Sequence, residues 1–513
     1  MNRIHIDGER LTLEDLYRIV FHGAEAEIPP AARERMNASR AVIEGLVEAD
    51  SAVYGVNTGF GKMASTRISR DEIRQLQLNL VRSHACGVGT ALSEHATRAM
   101  LALRANAIAK GFSGVRPVVA ETLVAMLNRG VHPVIPSQGS VGASGDLAPL
   151  AHLAQVAIGE GRAIFHGRSL TGAEAMRAAG IAPLTLEAKE GLALLNGTQA
   201  MLALAALALR EAEIAVDTAD VAAALSLDAL RGSPAAFDAR IAGVRPHPGH
   251  AITARNIERL NRGSEIRESH RSPDKDPRVQ DPYSLRCAPQ VHGAVRDALA
   301  QIRLTLTIEL NSATDNPLVF FTQDARAGDG SGEVISGGNF HGQPLAMAAD
   351  QMAVALATLG GISERRIEQM TNPQTSQLPA FLVRHAGLNS GFMILQVTAA
   401  ALASELKPLA APHSVDSIPT SANQEDYVSM GMGGARRLEP MLVNLRNILG
   451  IELLAACQGI DLLSPLRTGP ETRKAYDILR ALSPAVDADR SLAPDIEAVA
   501  REVDKGSFAA ILR

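Results

Sequence analysis

The chain has 513 residues and a formal net charge of −5 with the two signs interspersed. That length exceeds what one compact core serves, so at least two regions are expected, here 1–190 and 191–513. The charge balance, with no basic stripe interleaved with aromatics, excludes nucleic-acid binding as the main role, and the wide spacing of Cys86, Cys287 and Cys457 argues against structural zinc and for a reducing compartment.

In chain order, the opening MNRIHIDGERLTLEDL is charged from the start and lacks the apolar run of a secretory signal, which points to the cytoplasm. Arg3–Ile6 before Asp7-Gly8 reads as a short strand. Pro117–Arg129 reads as a helix with Pro at its first position and Gly130 just past its end. The stretch GSVGASGDLAPLAH begins at Gly139. Its glycines at 139, 142 and 145 free the backbone, and Asp146 with Pro149 marks a helix start. Longer helical periodicities follow over Leu186–Leu230, Pro289–Leu310, Gln343–Met370, Leu388–Leu406 and Arg436–Leu463, all too long for strands. Leu318–Phe321 reads as a hairpin arm ahead of GDGSGE. Pro234–Pro282 and Gly328–Gly342 read as loop-rich. The uncharged runs Gly191–Leu209 and Ala386–Ser404 are long enough for a membrane check, but they lean on Ala and carry Asn, Gln or Thr, which favours helices inside a bundle over membrane spans. The expected fold is mainly α, a bundle of long helices with a smaller, loop-rich N-terminal region.

Ala143-Ser144-Gly145 is the most informative tripeptide. Its small side chains let the backbone fold tightly enough for the Gly145 nitrogen to attack the Ala143 carbonyl carbon. Ring closure with loss of water, including the Ser144 hydroxyl, yields a methylidene-imidazolone, an electrophile that no ordinary side chain supplies. Removing an α-amino group calls for such a device: the β C–H is not acidic and the amine leaves poorly, so covalent capture lowers a barrier that acid–base catalysis alone does not.

The blocks YGVNTGFG from Tyr54, GSVGASGDLAPL from Gly139, LLNGTQA from Leu194, QDPYSLRCAPQ from Gln280, NSATDNP from Asn311, GGNFHG from Gly337 and SANQED from Ser421 occur in one order along the chain. Together they resemble the aromatic amino acid ammonia-lyases that use a methylidene-imidazolone group, essentially end to end. The resemblance implies a long-helix bundle of the fumarase/aspartase type. It also implies a homotetramer with active sites shared between chains, a small amino acid substrate, and no metal, external cofactor, nucleic acid or membrane partner.

By the same resemblance, Tyr54 is the base for the β-proton and Tyr283 a second catalytic tyrosine. Arg286 clamps the substrate carboxylate, which its guanidinium fork matches. Gln280 and Asn196 are polar positioning groups; Asn196 sits in an apolar run, where its amide needs a partner, either on a neighbouring helix or in the site. His84 and Glu425 match the histidine-specific branch, and the physics agrees: a carboxylate and an imidazole can hydrogen-bond a substrate imidazole, whereas a phenyl ring would leave them unpaired. Phe340 and Met393 are candidate pocket walls or ordinary core. Tyr427 and Cys86 depart from that branch, which has His and Ala there. Tyrosine or phenylalanine lyases, an aminomutase, and a non-catalytic helical oligomer are the alternatives to histidine deamination.

Overall fold

A computed structural model describes residues 3–49, 55–59, 63, 66–272, 274–276, 278–321 and 331–513. The chain divides into two compact units, each made of separated stretches: 1–207 with 304–350 and 412–436, and 208–303 with 351–411 and 437–513. The division expected at 190/191 therefore falls within the first unit.

The fold is mainly α. The helices that matter below are α1 (Ile73–His84), α2 (Glu94–Ala109), α3 (Pro117–Arg129), α4 (Leu147–Ala157), α5 (Glu190–Leu195), α6 (Gln199–Ala229), α7 (Ala288–Leu310), α8 (Gln343–Thr371), α9 (Met393–Leu409) and α10 (Leu438–Leu462). α3 has the bounds its punctuation predicts. Pro117 opens it, and Gly130 closes it in the left-handed region at φ 72°, donating its N–H to Leu127 and Met126 carbonyls. That conformation is open to glycine at little cost. The periodicity over Leu186–Leu230 covers two helices, because Asn196 leaves helical geometry at the end of α5 and α6 begins at Gln199. The pattern over Arg436–Leu463 is the single helix α10, with the short helix Gly431–Arg436 just ahead of it.

In the first unit α1, α4 and α5 pack on one another and α2 packs on α3. α2 is buried nearly all round, including Arg104 and Asn106, both fully buried. Ile4–His5 pairs in parallel with Ala26–Glu27, and Leu318–Phe321 pairs antiparallel with Gly332–Ile335 as the hairpin reading predicts. A three-stranded antiparallel sheet joins His132–Pro133, Arg162–Phe165 and Arg168–Thr171. In the second unit α10 packs against α9 and the C-terminal helix Ala493–Lys505. Among the described residues, the helical segments long and apolar enough to cross a membrane are α8 and Gly431–Leu462, not the runs flagged from sequence, and most of each apolar window is buried inside the protein.

Candidate active site

Ala143-Ser144-Gly145 lies in the loop between the strand Pro136–Gln138 and α4. Two glycines make the loop's path achievable. Gly142 (φ 69°) and Gly145 (φ 73°) sit in the left-handed region. A Cβ on Gly145 would lie 2.2 Å from the Gly197 carbonyl oxygen, and one on Gly142 would lie 2.1 Å from Ser429 Oγ. No side chain fits at either place.

The loop is tied to the break between α5 and α6. Gly145 and Gly197 form an isolated parallel bridge, and the Asp146 N–H donates to Gly197 O at 2.7 Å. Asn196 Nδ2 donates to the Ser144 carbonyl at 3.1 Å. Its Oδ1 is buried without a hydrogen-bond partner among the described residues. A buried acceptor left open costs free energy unless something occupies it, so Asn196 is turned to the tripeptide rather than to a neighbouring helix.

Asp146 does begin α4, but its carboxylate does not cap it. Instead Oδ1 accepts from Ser140 Oγ at 3.0 Å and Oδ2 from the Met201 N–H at 2.8 Å. Complete burial pushes this carboxyl up to about 6, against the pull of those hydrogen bonds. It staples the tripeptide loop to the first turn of α6.

Glu425 reaches the same place from a third segment. Its Oε1 accepts from Ser144 Oγ at 3.0 Å and its Oε2 from Thr420 Oγ1 at 2.6 Å. Thr420 and Glu425 also form an antiparallel bridge, spanned by Ser421, Ala422 and Asn423 with φ of 50°, 52° and 66°. Three successive non-glycine residues in that region store strain, and the result is a carboxylate aimed at Ser144. The Met430 N–H donates to Val141 O at 2.9 Å and Ser429 Oγ to Gly142 O at 3.3 Å, closing this segment over the loop.

His84 ends α1 half-buried, with Nδ1 donating to the Leu80 carbonyl at 2.9 Å. That tautomer leaves Nε2 as an acceptor. Burial holds the imidazole below the ordinary histidine range, while the nearby Glu425 carboxylate pulls the other way. Burial thus favours the neutral imidazole, against the opposing pull of Glu425.

The first unit thus brings together Ala143, Ser144, Gly145, Asn196, Glu425 and His84. Phe340 is half-buried in the turn ahead of α8, and Tyr54 lies outside the described residues. The other expected site residues belong to the second unit. Tyr283 and Arg286 share the one-turn helix Tyr283–Arg286, with the guanidinium 4.4 Å from the phenol ring centroid and Nε donating to Asp281 O at 3.0 Å. Gln280, Asp281 and Tyr283 line a cavity of about 450 Å³. Met393 begins α9, 37% exposed; it is not core.

Sequence reasoning missed Ser140, Thr420 and Ser429, which hold the loop and the carboxylate. It also missed Arg104, whose fully buried Nη1 donates to Asn196 O at 3.0 Å and Gln199 Oε1 at 2.8 Å. An arginine inside the apolar run of α2 was a signal that could have flagged it.

Residues 11–481 match the family described as aromatic amino acid lyase. The chain belongs to that family. It is 54% identical over 520 residues, with all of both chains covered, to a histidine ammonia-lyase of Koribacter versatilis. It is similar to the crystal structure of histidine ammonia-lyase from Trypanosoma cruzi at TM-score 0.90 and 44% identity, covering 100% of this chain and 95% of that one. Tyrosine aminomutase from Streptomyces globisporus follows at TM-score 0.93 and 40% identity, covering 99% and 98%. Membership makes the chain a carbon–nitrogen lyase, and the non-catalytic reading falls.

Proposed function

We propose that the protein removes ammonia from L-histidine to give trans-urocanate, the opening step of histidine breakdown. The observation that carries this reading is the Glu425 carboxylate accepting from Ser144 Oγ, with His84 in the same unit committing Nδ1 to the Leu80 carbonyl and keeping Nε2 as an acceptor. A carboxylate acceptor and an imidazole acceptor suit a substrate ring bearing N–H groups; a phenyl or phenol ring would strand one or both.

The tripeptide fits conversion to a methylidene-imidazolone. The left-handed Gly142 and Gly145 allow the tight path, no Cβ is tolerated, and the open Asn196 Oδ1 supplies a polar wall. Once formed, that group offers the substrate an electrophilic carbon. Loss of the Ser144 hydroxyl in its formation frees Glu425 Oε1 to accept from the substrate imidazole, while Thr420 keeps Oε2 in place. Asn196 and Asp146 hold the loop. Arg286 takes the substrate carboxylate in a two-point clamp, Gln280 orients the bound amino acid, Phe340 and Met393 wall the ring, and Tyr54 and Tyr283 move protons.

The active enzyme is a homotetramer in the cytoplasm, with sites shared between chains. Tyr283 is 69% exposed in the single chain, and apolar side chains stand exposed on α7 (Leu304, Ile308), α8 (Met347, Val354) and α9 (Ile394, Val397). Apolar helix faces of this kind are what subunit association buries. Free Cys86, Cys287 and Cys457 suit a reducing compartment.

The test is near-ultraviolet absorbance of the purified protein mixed separately with L-histidine, L-tyrosine and L-phenylalanine. A conjugated arylacrylate rising with histidine alone is expected. A rise with tyrosine or phenylalanine instead would keep the chemistry and overturn the substrate.

A further inference from the structure

The one-turn helix Tyr283–Arg286 is too short to hold its own geometry. Its N-terminal side is tied by Asp281, whose Oδ2 accepts from the Ser233 N–H at 2.6 Å. Its inner side meets a chain of buried charge. Arg366 of α8, Glu452 of α10, His292 of α7 and Asp220 of α6 are all fully buried.

Arg366 gives one edge to Glu452, with Nε to Oε1 at 2.5 Å and Nη2 to Oε2 at 2.9 Å. Ser226 and Ser363 also donate to that carboxylate, at 2.8 and 2.5 Å. The ion pair is complete without the other guanidinium nitrogen. That nitrogen, Nη1, donates to the Ser284 carbonyl at 3.3 Å and to His292 Nε2 at 3.2 Å. Because the guanidinium can only donate, His292 Nε2 must accept, so Nδ1 carries the proton and donates to Asp220 Oδ1 at 2.8 Å. Asp220 is fixed in turn by Arg296 Nη2 at 2.5 Å and Asn256 Nδ2 at 2.9 Å. Burial keeps His292 below the ordinary histidine range, in keeping with the neutral tautomer.

A buried ion pair is a poor way to add stability. This one is aimed: its surplus donor ends on the carbonyl between the proposed phenol and the proposed carboxylate clamp. We propose that Arg366 and His292 are positioning residues for substrate binding. Arg366 holds the Ser284 carbonyl, His292 fixes the plane of the Arg366 guanidinium, and together they set the direction in which Arg286 meets the substrate carboxylate. The inference rests on Arg286 being that clamp.

The experiment compares inhibition of the tetrameric enzyme by urocanate, which carries a carboxylate, and by histamine, which carries the imidazole without one. His292→Phe removes the acceptor while filling the space, and His292→Gln restores an acceptor for Arg366. Arg366→Lys keeps an ion pair with Glu452 but gives up the Nη1 donor, and serves if the phenylalanine variant does not fold. We expect urocanate to bind about tenfold more weakly to His292→Phe and Arg366→Lys, histamine to change less than about twofold, and His292→Gln to recover most of the loss. Equal weakening of both inhibitors, or of neither, overturns the inference. Arg286→Ala is measured beside them. If it discriminates between the inhibitors and the buried variants do not, the positioning role alone fails; if it does not discriminate, the clamp fails and the positioning role with it.

Discussion

Glu425→Gln is the sharpest probe of substrate choice. Thr420 Oγ1 donates to Oε2 at 2.6 Å, and the Thr420–Glu425 backbone bridge holds the two residues together. A glutamine here gives its carbonyl oxygen to the Thr420 hydroxyl and turns its NH₂ toward the position now taken by Ser144 Oγ at 3.0 Å. An acceptor becomes a donor facing the substrate imidazole. Replacing a hydrogen bond to a charged group by a mismatch costs about 1.5–3 kcal/mol, which is roughly a 10- to 150-fold fall in kcat/KM for histidine. Phenylalanine has no ring N–H to lose, so its inhibition constant should move less than about threefold. Initial rates of arylacrylate absorbance, with phenylalanine as competitor, give both numbers. If histidine turnover is unchanged, or histidine and phenylalanine weaken by the same factor, Glu425 does not read the substrate ring.

Ser144→Ala should abolish turnover and leave the peptide around residue 144 at its unmodified mass, whereas the wild-type peptide should be lighter by two waters; circular dichroism should be unchanged. Asn196→Ala removes the donor to Ser144 O and the open buried acceptor, and should lower kcat by about 100-fold or more while the protein still folds. Asp228, in the second unit, is held near pKa 6 by burial and accepts from Ser264 Oγ at 2.8 Å and from Thr468. A carboxyl raised from 3.8 to about 6 binds its proton more tightly folded than unfolded, so its favourable contribution is present below the unfolded value and lost as pH rises through about 6. The difference is on the order of 3 kcal/mol. Asp228→Asn should therefore gain melting temperature relative to wild type between pH 4.5 and pH 8; a gain that is flat or runs the other way would sink the assignment.

Helix identity was legible because apolar periodicity over several turns is a strong signal, as the bounds of α3, α7 and α8 attest. What periodicity hides is a break in which apolar residues continue on both sides. Asn196 and Gly197 interrupt the pattern because Arg104 binds the Asn196 carbonyl and a Cβ on Gly197 would lie 2.2 Å from Arg104 Nη1. The cause lies 92 residues upstream, beyond any local window. The tripeptide, Asn196, His84 and Glu425 were legible by resemblance. Thr420, Ser140 and Ser429 were not, since small hydroxyl residues in loops carry no pattern. The Ser421–Asn423 turn was also hidden, because serine and alanine rarely announce positive φ.

The buried charges of the first unit tie these observations together. Arg104 is fully buried and donates to backbone carbonyls at Ala193, Asn196 and Thr314 and to Gln199, and burial drags its pKa to about 10, still protonated at neutral pH. Lys189 and Asp315 form a buried ion pair at 2.9 Å, and the Asp315 carboxylate also supports the Arg104 charge. Apolar packing would fill the same space at lower desolvation cost. It could not gather the carbonyls at the end of α5, which have no helical N–H left to meet. A guanidinium can, because it offers several donors in a fixed plane. By satisfying those carbonyls it lets the chain leave α5 abruptly and present Gly197 O to Asp146 and Asn196 Nδ2 to Ser144. The cost in stability is thus spatially matched to the segment whose geometry the tripeptide needs.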